Sequence, residues 1–243
     1  MDTRPIFGLD IAALTSDTAV GMLERFIRER TPVRLAFVNA NLANLAYEDA
    51  KLHDLLRHFL LLNDGVGLNI ASRLLYGKPF PDNLNGTDFT PYFLDQCLTP
   101  LNVFLLGAKP AVVARVAEIF ALRWPQHVVV GCQDGFFTEA DDDRVIEMIR
   151  RSEPHLVLIG MGNGLQEQWV ERLVPEVTLS AWGVGALFDF LAGEVQRAPL
   201  WMRRLNIEWA YRLMLEPKRM WQRYILGNPK FVLRVLSECR RGR

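Results

Sequence analysis

Phe59-Leu60-Leu61-Leu62-Asn63-Asp64-Gly65-Val66-Gly67 is the stretch on which the fold turns. Its unbroken apolar run suits a strand covered on both faces, Asn-Asp-Gly is turn chemistry, and from Val66 to Tyr76 the apolar residues return at helical spacing. A strand that enters a turn and leaves as a helix is one unit of a layered α/β sheet. The same pattern recurs on both sides. It places strands at Val33–Val38, Phe59–Leu62, Val103–Leu106, Val128–Val130, Leu156–Ile159 and Leu179–Trp182, most of them parallel. It places helices over Thr18–Arg30, Asn41–Arg57, Val66–Tyr76, Thr87–Cys97, Ala111–Trp124, Asp141–Arg151 and Leu165–Val174. The predicted fold is α/β: a single Rossmann-like domain with a mostly parallel sheet flanked by helices over residues 1–195, followed by a C-terminal basic helical appendage over residues 196–243.

Composition agrees. The chain has 243 residues, 50% of them apolar and 23% charged, which excludes disorder and collagen. No stretch reaches the ~18 uninterrupted apolar residues of a membrane-spanning helix. The N-terminus, MDTRPIFGLD, carries acid where a secretory signal needs a basic end and an apolar core, so a cytoplasmic address is expected. Cys97, Cys132 and Cys239 are odd in number and far apart, and His53, His58, His127 and His155 form no ligand pattern. Neither a disulfide framework nor a metal site is predicted.

The zero net charge conceals a division. Residues 196–243 hold twelve Lys and Arg against three Asp and Glu, a surplus of +9 that the rest of the chain balances with −9. Such asymmetry points the tail at something anionic. Leu205, Trp209 and Leu213 share one helical stripe and Arg219 and Arg223 another, beside Met220, Trp221, Tyr224 and Ile225, with Pro217 and Gly227-Asn228-Pro229 dividing the tail into short helices. Basic amphipathic helices bearing Trp and Tyr suit a lipid interface. On composition, packing of the aromatic stripe on the main domain is an equal reading, and RNA is a third that the regular helical spacing makes less attractive.

In a parallel sheet, ligands sit beyond the carboxyl ends of the strands. The loops there are Asn39-Ala40-Asn41, Asn63 to Gly67, Leu106 to Pro110, and Gly160 to Gly164 followed by Gln166-Glu167. They supply polar side chains, close backbone approach and helix N-termini that favour phosphate. Asp64 holds the most chemical promise, because a carboxylate at a strand end is where a general base belongs; spacing alone prefers a turn former or helix cap. Gly160 to Gly164 lies too late in the chain for a first-unit dinucleotide fingerprint. Asp141-Asp142-Asp143 reads as the opening of a helix and not as a metal site. Gln133-Asp134-Gly135-Phe136-Phe137 reads as a turn whose aromatics return to the core.

In order, Asn39-Ala40, Asp64-Gly65, Gly86-Thr87-Asp88, Leu105-Leu106-Gly107 with Lys109-Pro110, Gln133 to Phe137, Met161-Gly162 with Gln166-Glu167, Gly183-Val184-Gly185 with Phe188-Asp189, Gly193, Arg197-Ala198-Pro199, Glu208-Trp209, Tyr211-Arg212-Leu213 and Glu216-Pro217-Lys218-Arg219 resemble the WecG/TagA/CpsF glycosyltransferases. The resemblance runs from about Ala36 to Arg223. It implies a bacterial enzyme that moves a sugar of glucose or N-acetylmannosamine type from a UDP donor onto a polyprenyl-diphosphate-linked saccharide, at the inner face of the cytoplasmic membrane, in surface-polysaccharide synthesis. It implies inversion at the anomeric carbon, no cofactor and no essential metal. The family's general base matches Asp64, and its appendage docks on the membrane and helps close the site. The substrate-binding set carried over is Asn39, Asn85, Asp88, Gly107, Asp134, Gly162, Gln166, Glu167, Arg197, Arg212 and Arg219, with Asn39, Gln166 and Glu167 positioning hydroxyls and Arg212 and Arg219 on the leaving group. Two departures touch the donor side. Phe37 stands where many relatives have threonine, and Asn163-Gly164-Leu165-Gln166-Glu167 lacks the proline and lysine common there. The competing classes are an NAD-binding oxidoreductase and a non-enzymatic membrane or RNA adaptor; self-association is left open.

Overall fold

The computed structural model describes residues 1–177, 179–199, 201–202 and 208–241, without the side chains of Arg219 and Arg241. The strands are β1 (Thr3–Ile6), β2 (Leu9–Ala12), β3 (Val33–Val38), β4 (Leu60–Asn63), β5 (Asn102–Gly107), β6 (Val128–Gln133), β7 (Leu156–Gly160) and β8 (Ser180–Gly183). They form one sheet in the order β1-β2-β4-β3-β8-β7-β5-β6, parallel except for β1 against β2.

Helices cover both faces, as the continuously apolar strands require. On one lie α2 (Ala40–Glu48), α3 (Ala50–Leu56), α4 (Val66–Tyr76), α7 (Asp142–Arg151) and α8 (Leu165–Leu173). On the other lie α1 (Ser16–Arg28), α5 (Gly86–Gln96), α6 (Pro110–Arg123) and α9 (Leu187–Leu191). The chain leaves β3 and β7 toward the first face but β5 and β8 toward the second. Neighbouring loops therefore splay apart above β3, β8 and β7, and a crevice opens at these switch points. Register brings the key residues together there. Val38 pairs with Asn63, so Asn39 and Asp64, the next residues of each chain segment, emerge side by side at the rim.

Two local expectations are corrected and one element is added. The helix expected over Asn41–Arg57 breaks at Asp49, whose side chain accepts from the Lys51 and Leu52 N–H groups and starts α3. An unforeseen hairpin, β1–β2, turns through Phe7 and Gly8, both with positive φ (55° and 78°). Finally, Gly227-Asn228-Pro229 does not divide two helices. After α10 (Glu208–Leu215) and α11 (Pro217–Trp221), a π-helical turn at Gln222–Leu226 leads directly into α12 (Gly227–Arg241). Pro229 is the third residue of α12, directly after the π-helical turn, where the helical hydrogen-bond register changes.

α12 packs against α2 and α4 and carries Phe231 and Val235, each 1% exposed, into the core. On its α2 side, Arg234 donates to Asn44 Oδ1 at 2.9 Å and pairs with Glu48 at 2.6 Å, and Lys230 pairs with Glu48 as well. Among the described residues no helix is long and apolar enough to cross a membrane.

Candidate active site

A cleft of about 820 Å³ lies over the carboxyl ends of the central strands and is closed on one side by α10 to α12. Its floor is built around Asn39 and Asp64. Asn39 caps α2, its Oδ1 accepting from the Asn41 and Leu42 N–H groups at 3.1 Å each. That cap fixes the amide orientation, so Nδ2 is aimed at Asp64 Oδ2 and donates to it at 3.2 Å. Asp64 does not cap α4: the capping position is Gly65, which makes no side-chain cap bond, and Gly65 N–H donates to Asn83 Oδ1 at 2.7 Å. The capping role that spacing preferred is thus set aside, and the carboxylate is left facing the cleft.

Burial pushes the Asp64 carboxyl above the usual carboxylate range; the Asn39 hydrogen bond and the Arg223 and Arg212 charges pull the other way, and Asp88 adds to the rise. Arg212 and Arg223 line the tail wall of the same cleft, with Trp209 and Tyr224, whose ring centroids are 6.0 Å apart. A carboxylate of raised pKa opposite two guanidiniums is the charge arrangement for deprotonating a nucleophile while an anionic group departs.

Of the carried-over residues, Asn39, Asp64, Asn85, Asp88, Gly162, Gln166 and Arg212 stand on the cleft wall. Asn85 caps α5, accepting from Asp88 N–H at 2.9 Å and donating to Asp88 Oδ2 at 3.0 Å. Gln166 accepts from Gly185 N–H at 3.0 Å and so ties α8 to the loop after β8. Four more, Gly107, Asp134, Glu167 and Arg197, stand off the residues that line this cleft. Gly107 lies below the wall, where a Cβ would meet Gly160 O at 2.4 Å, so only glycine lets the ends of β5 and β7 touch. Asp134 spends its carboxylate on its own turn, accepting from Phe136 N–H at 2.8 Å and Gln133 Nε2 at 3.0 Å. Glu167 is buried behind Gln166, accepting from Gly164 N–H at 2.5 Å and Gln166 Nε2 at 2.8 Å, and burial pushes its pKa up to about 7. Arg197 stands behind the wall and holds Asp88 at 2.7 Å and Glu208 at 3.8 Å. The side chain of Arg219 lies outside the described residues, as does Leu205 of the proposed stripe.

Sequence reasoning missed Arg223, Trp209, Tyr224, Lys109 and Phe136 as lining residues. Arg223 was findable, since it shares the stripe of Arg219 one turn on. Phe136 was misread: only Phe137 returns to the core, edge-on to Trp169 at 5.2 Å, while Phe136 is 72% exposed at the cleft. The aspartate run behaves as a helix start. Asp141 closes a capping box with Thr138, and Asp142 pairs with Arg172. Among the described residues no group of three or more His, Cys, Asp and Glu side chains is arranged to hold a metal ion.

Fold and cleft together define a doubly wound α/β enzyme with a carboxylate facing a cationic wall. The chain belongs to the glycosyl transferase WecG/TagA/CpsF family, whose model matches residues 4–243, and it is a glycosyltransferase. It is 31% identical over 244 aligned residues to the N-acetylglucosaminyldiphosphoundecaprenol N-acetyl-beta-D-mannosaminyltransferase of Bacillus subtilis (strain 168), covering 98% of this chain and 93% of that one. It is 30% identical to the protein of the same description from Bacillus spizizenii, covering 99% and 93%.

Proposed function

We propose that this enzyme transfers a hexose of glucose or N-acetylmannosamine type from a UDP-sugar to a saccharide linked through diphosphate to a polyprenol, at an anionic membrane surface, with inversion and without a metal. The reading rests on the family, on what the Bacillus relatives are named as acting upon, and on one observation: a desolvated carboxylate, Asp64, facing Arg212 and Arg223 across a cleft at the sheet rim.

The reaction is a single in-line displacement. Asp64 takes the proton of an acceptor hydroxyl as that oxygen forms a bond to the anomeric carbon. The bond from that carbon to the diphosphate oxygen breaks, and UDP leaves with the electron pair. Charge grows on the departing diphosphate, where Arg212, Arg223 and Arg219 act in place of a divalent ion. Asn39 keeps the carboxylate aimed, and Gln166 holds the β8 loop against α8. Because the base works only when ionised and its pKa is raised, the acid limb of the pH–rate profile lies above the ordinary carboxylate range.

The test is a donor screen with the purified full chain, a panel of UDP-hexoses and a short-chain polyprenyl-diphosphate sugar, reading UDP release and product anomer. Asp64→Asn is expected to lower turnover ~10²- to 10⁴-fold while UDP still raises the melting temperature. Near-normal turnover in that variant removes Asp64 from the role. A melting temperature indifferent to UDP overturns the UDP-sugar donor.

A further inference from the structure

α4 and α12 run side by side. Both start at the cleft, where Val66 and Asn228 line it, and both end at the β1–β2 hairpin, where Tyr76 donates to Pro5 O and Glu238 accepts from Phe7 N–H. The start of α4 is packed tightly, since a Cβ on Gly67 would stand 3.2 Å from the Ala40 side chain on α2 and 3.7 Å from the Phe231 ring on α12. Ile70 and Leu74 follow Val66 at four-residue intervals on α4; Val232 and Leu236 follow Asn228 in the same way on α12. Ile70 and Val232 still line the cleft, while Ile70, Leu74 and Leu236 are 40%, 46% and 40% exposed. The result is a strip of exposed apolar side chains on α4 and α12 that continues outward from the catalytic cleft, whose wall carries the positive charge of Arg212 and Arg223.

From this we infer that the apolar strip on α4 and α12 is a binding subsite for the first isoprene units of the lipid acceptor, with the diphosphate held at its inner end. The inference rests on the acceptor class proposed above. The commitment to this occupant comes from matched amphiphilicity. A polyprenyl diphosphate is an anionic head joined to a branched hydrocarbon, and here a cationic cleft continues into an exposed apolar strip.

The experiment compares two soluble acceptors with the same diphosphate saccharide, one carrying a single isoprene unit and one carrying three, in vesicle-free buffer below their micelle concentrations. A buried methylene is worth about fourfold in affinity, so the longer acceptor should have a KM at least about tenfold lower. The exposed double substitution Leu74→Ser with Leu236→Ser should bring the KM ratio close to one. Leu233→Ser, on the outward face of α12 at 67% exposure, should leave the ratio as in the wild type. A wild-type ratio near one, or a double variant that keeps the wild-type ratio, overturns the subsite. A double variant that loses only vesicle binding makes the strip a bilayer contact and overturns it equally. Transfer to neither acceptor overturns the acceptor class, and the subsite falls with it.

Discussion

Glu167 is a carboxyl that touches no wall of the cleft, yet it decides how Gln166 is held. Its two oxygens accept from Gly164 N–H and Gln166 Nε2, which turns Gln166 Oε1 toward Gly185 N–H. Burial outweighs both bonds and lifts its pKa from 4.5 to about 7. The folded protein therefore binds this proton more tightly than the unfolded chain. Between about pH 4.5 and 7 the native state carries the extra proton, so stability contributed by this group is present on the acid side and is lost as pH rises. Glu167→Gln cannot ionise and should remove that falling limb from a plot of unfolding free energy against pH. Its amide offers one acceptor oxygen where the carboxylate offers two, so either Gly164 N–H or Gln166 Nε2 faces a donor, the hold on Gln166 and the Gly185 loop weakens, and transfer slows. A variant whose stability declines over the same window as the wild type would show that another group titrates there.

At the scale of elements, Arg197 joins three pieces of chain. It donates to Asp88 in the first turn of α5, approaches Glu208 at the start of α10, and lies 5.2 Å from the centroid of Phe190 at the end of α9; Arg212 lies over the same ring at 5.1 Å. Charged hydrogen bonds of this kind contribute about 1.5–3 kcal/mol. Arg197→Ala should therefore loosen α10 and misplace Arg212. We expect roughly tenfold faster tryptic cleavage at Arg212 and Lys218, with turnover falling by a similar factor. Equal cleavage rates in variant and wild type would mean that other contacts hold α10. Elements were legible where chemistry is local. The apolar runs marked β3, β4, β5, β7 and β8 to within a residue at each end, β6 runs three residues past the expected Val130, and Asn-Asp-Gly marked the rim on which Asp64 stands. The β1–β2 hairpin was not legible, because its turn uses Phe7 at positive φ in place of the usual Asn-Gly signal. The break at Asp49 was hidden because a capping aspartate inside a helical period looks like a surface charge. Where Glu167 and Phe136 point depends on how α8 and the β6 turn meet their neighbours, which no spacing records.

On the scale of the whole molecule, the charge division acquires a geometry. The tail closes one side of the cleft and leaves Met214, Leu215, Trp221, Ile225 and Leu226 exposed near Lys218 and Arg223. Deleting the tail would be a poor probe of membrane binding, since residues 196–243 include Phe231 and Val235, and the core would open with them. Salt and lipid charge are cleaner variables. Three cations near a surface, at about 1 kcal/mol each, favour anionic over neutral vesicles by roughly a hundredfold at low salt. Raising ionic strength from about 0.1 to 1 M shortens the Debye length from about 10 to 3 Å and should remove most of that preference, leaving the weaker contribution of the inserted apolar side chains. Trp221→Ala with Ile225→Ala should then abolish the salt-resistant remainder without moving the salt-sensitive part. Sedimentation with vesicles of matched size separates these contributions. Binding that is indifferent to lipid charge at low salt would place the +9 surplus elsewhere than at a bilayer, in the cleft itself, where the diphosphates of donor and acceptor need it.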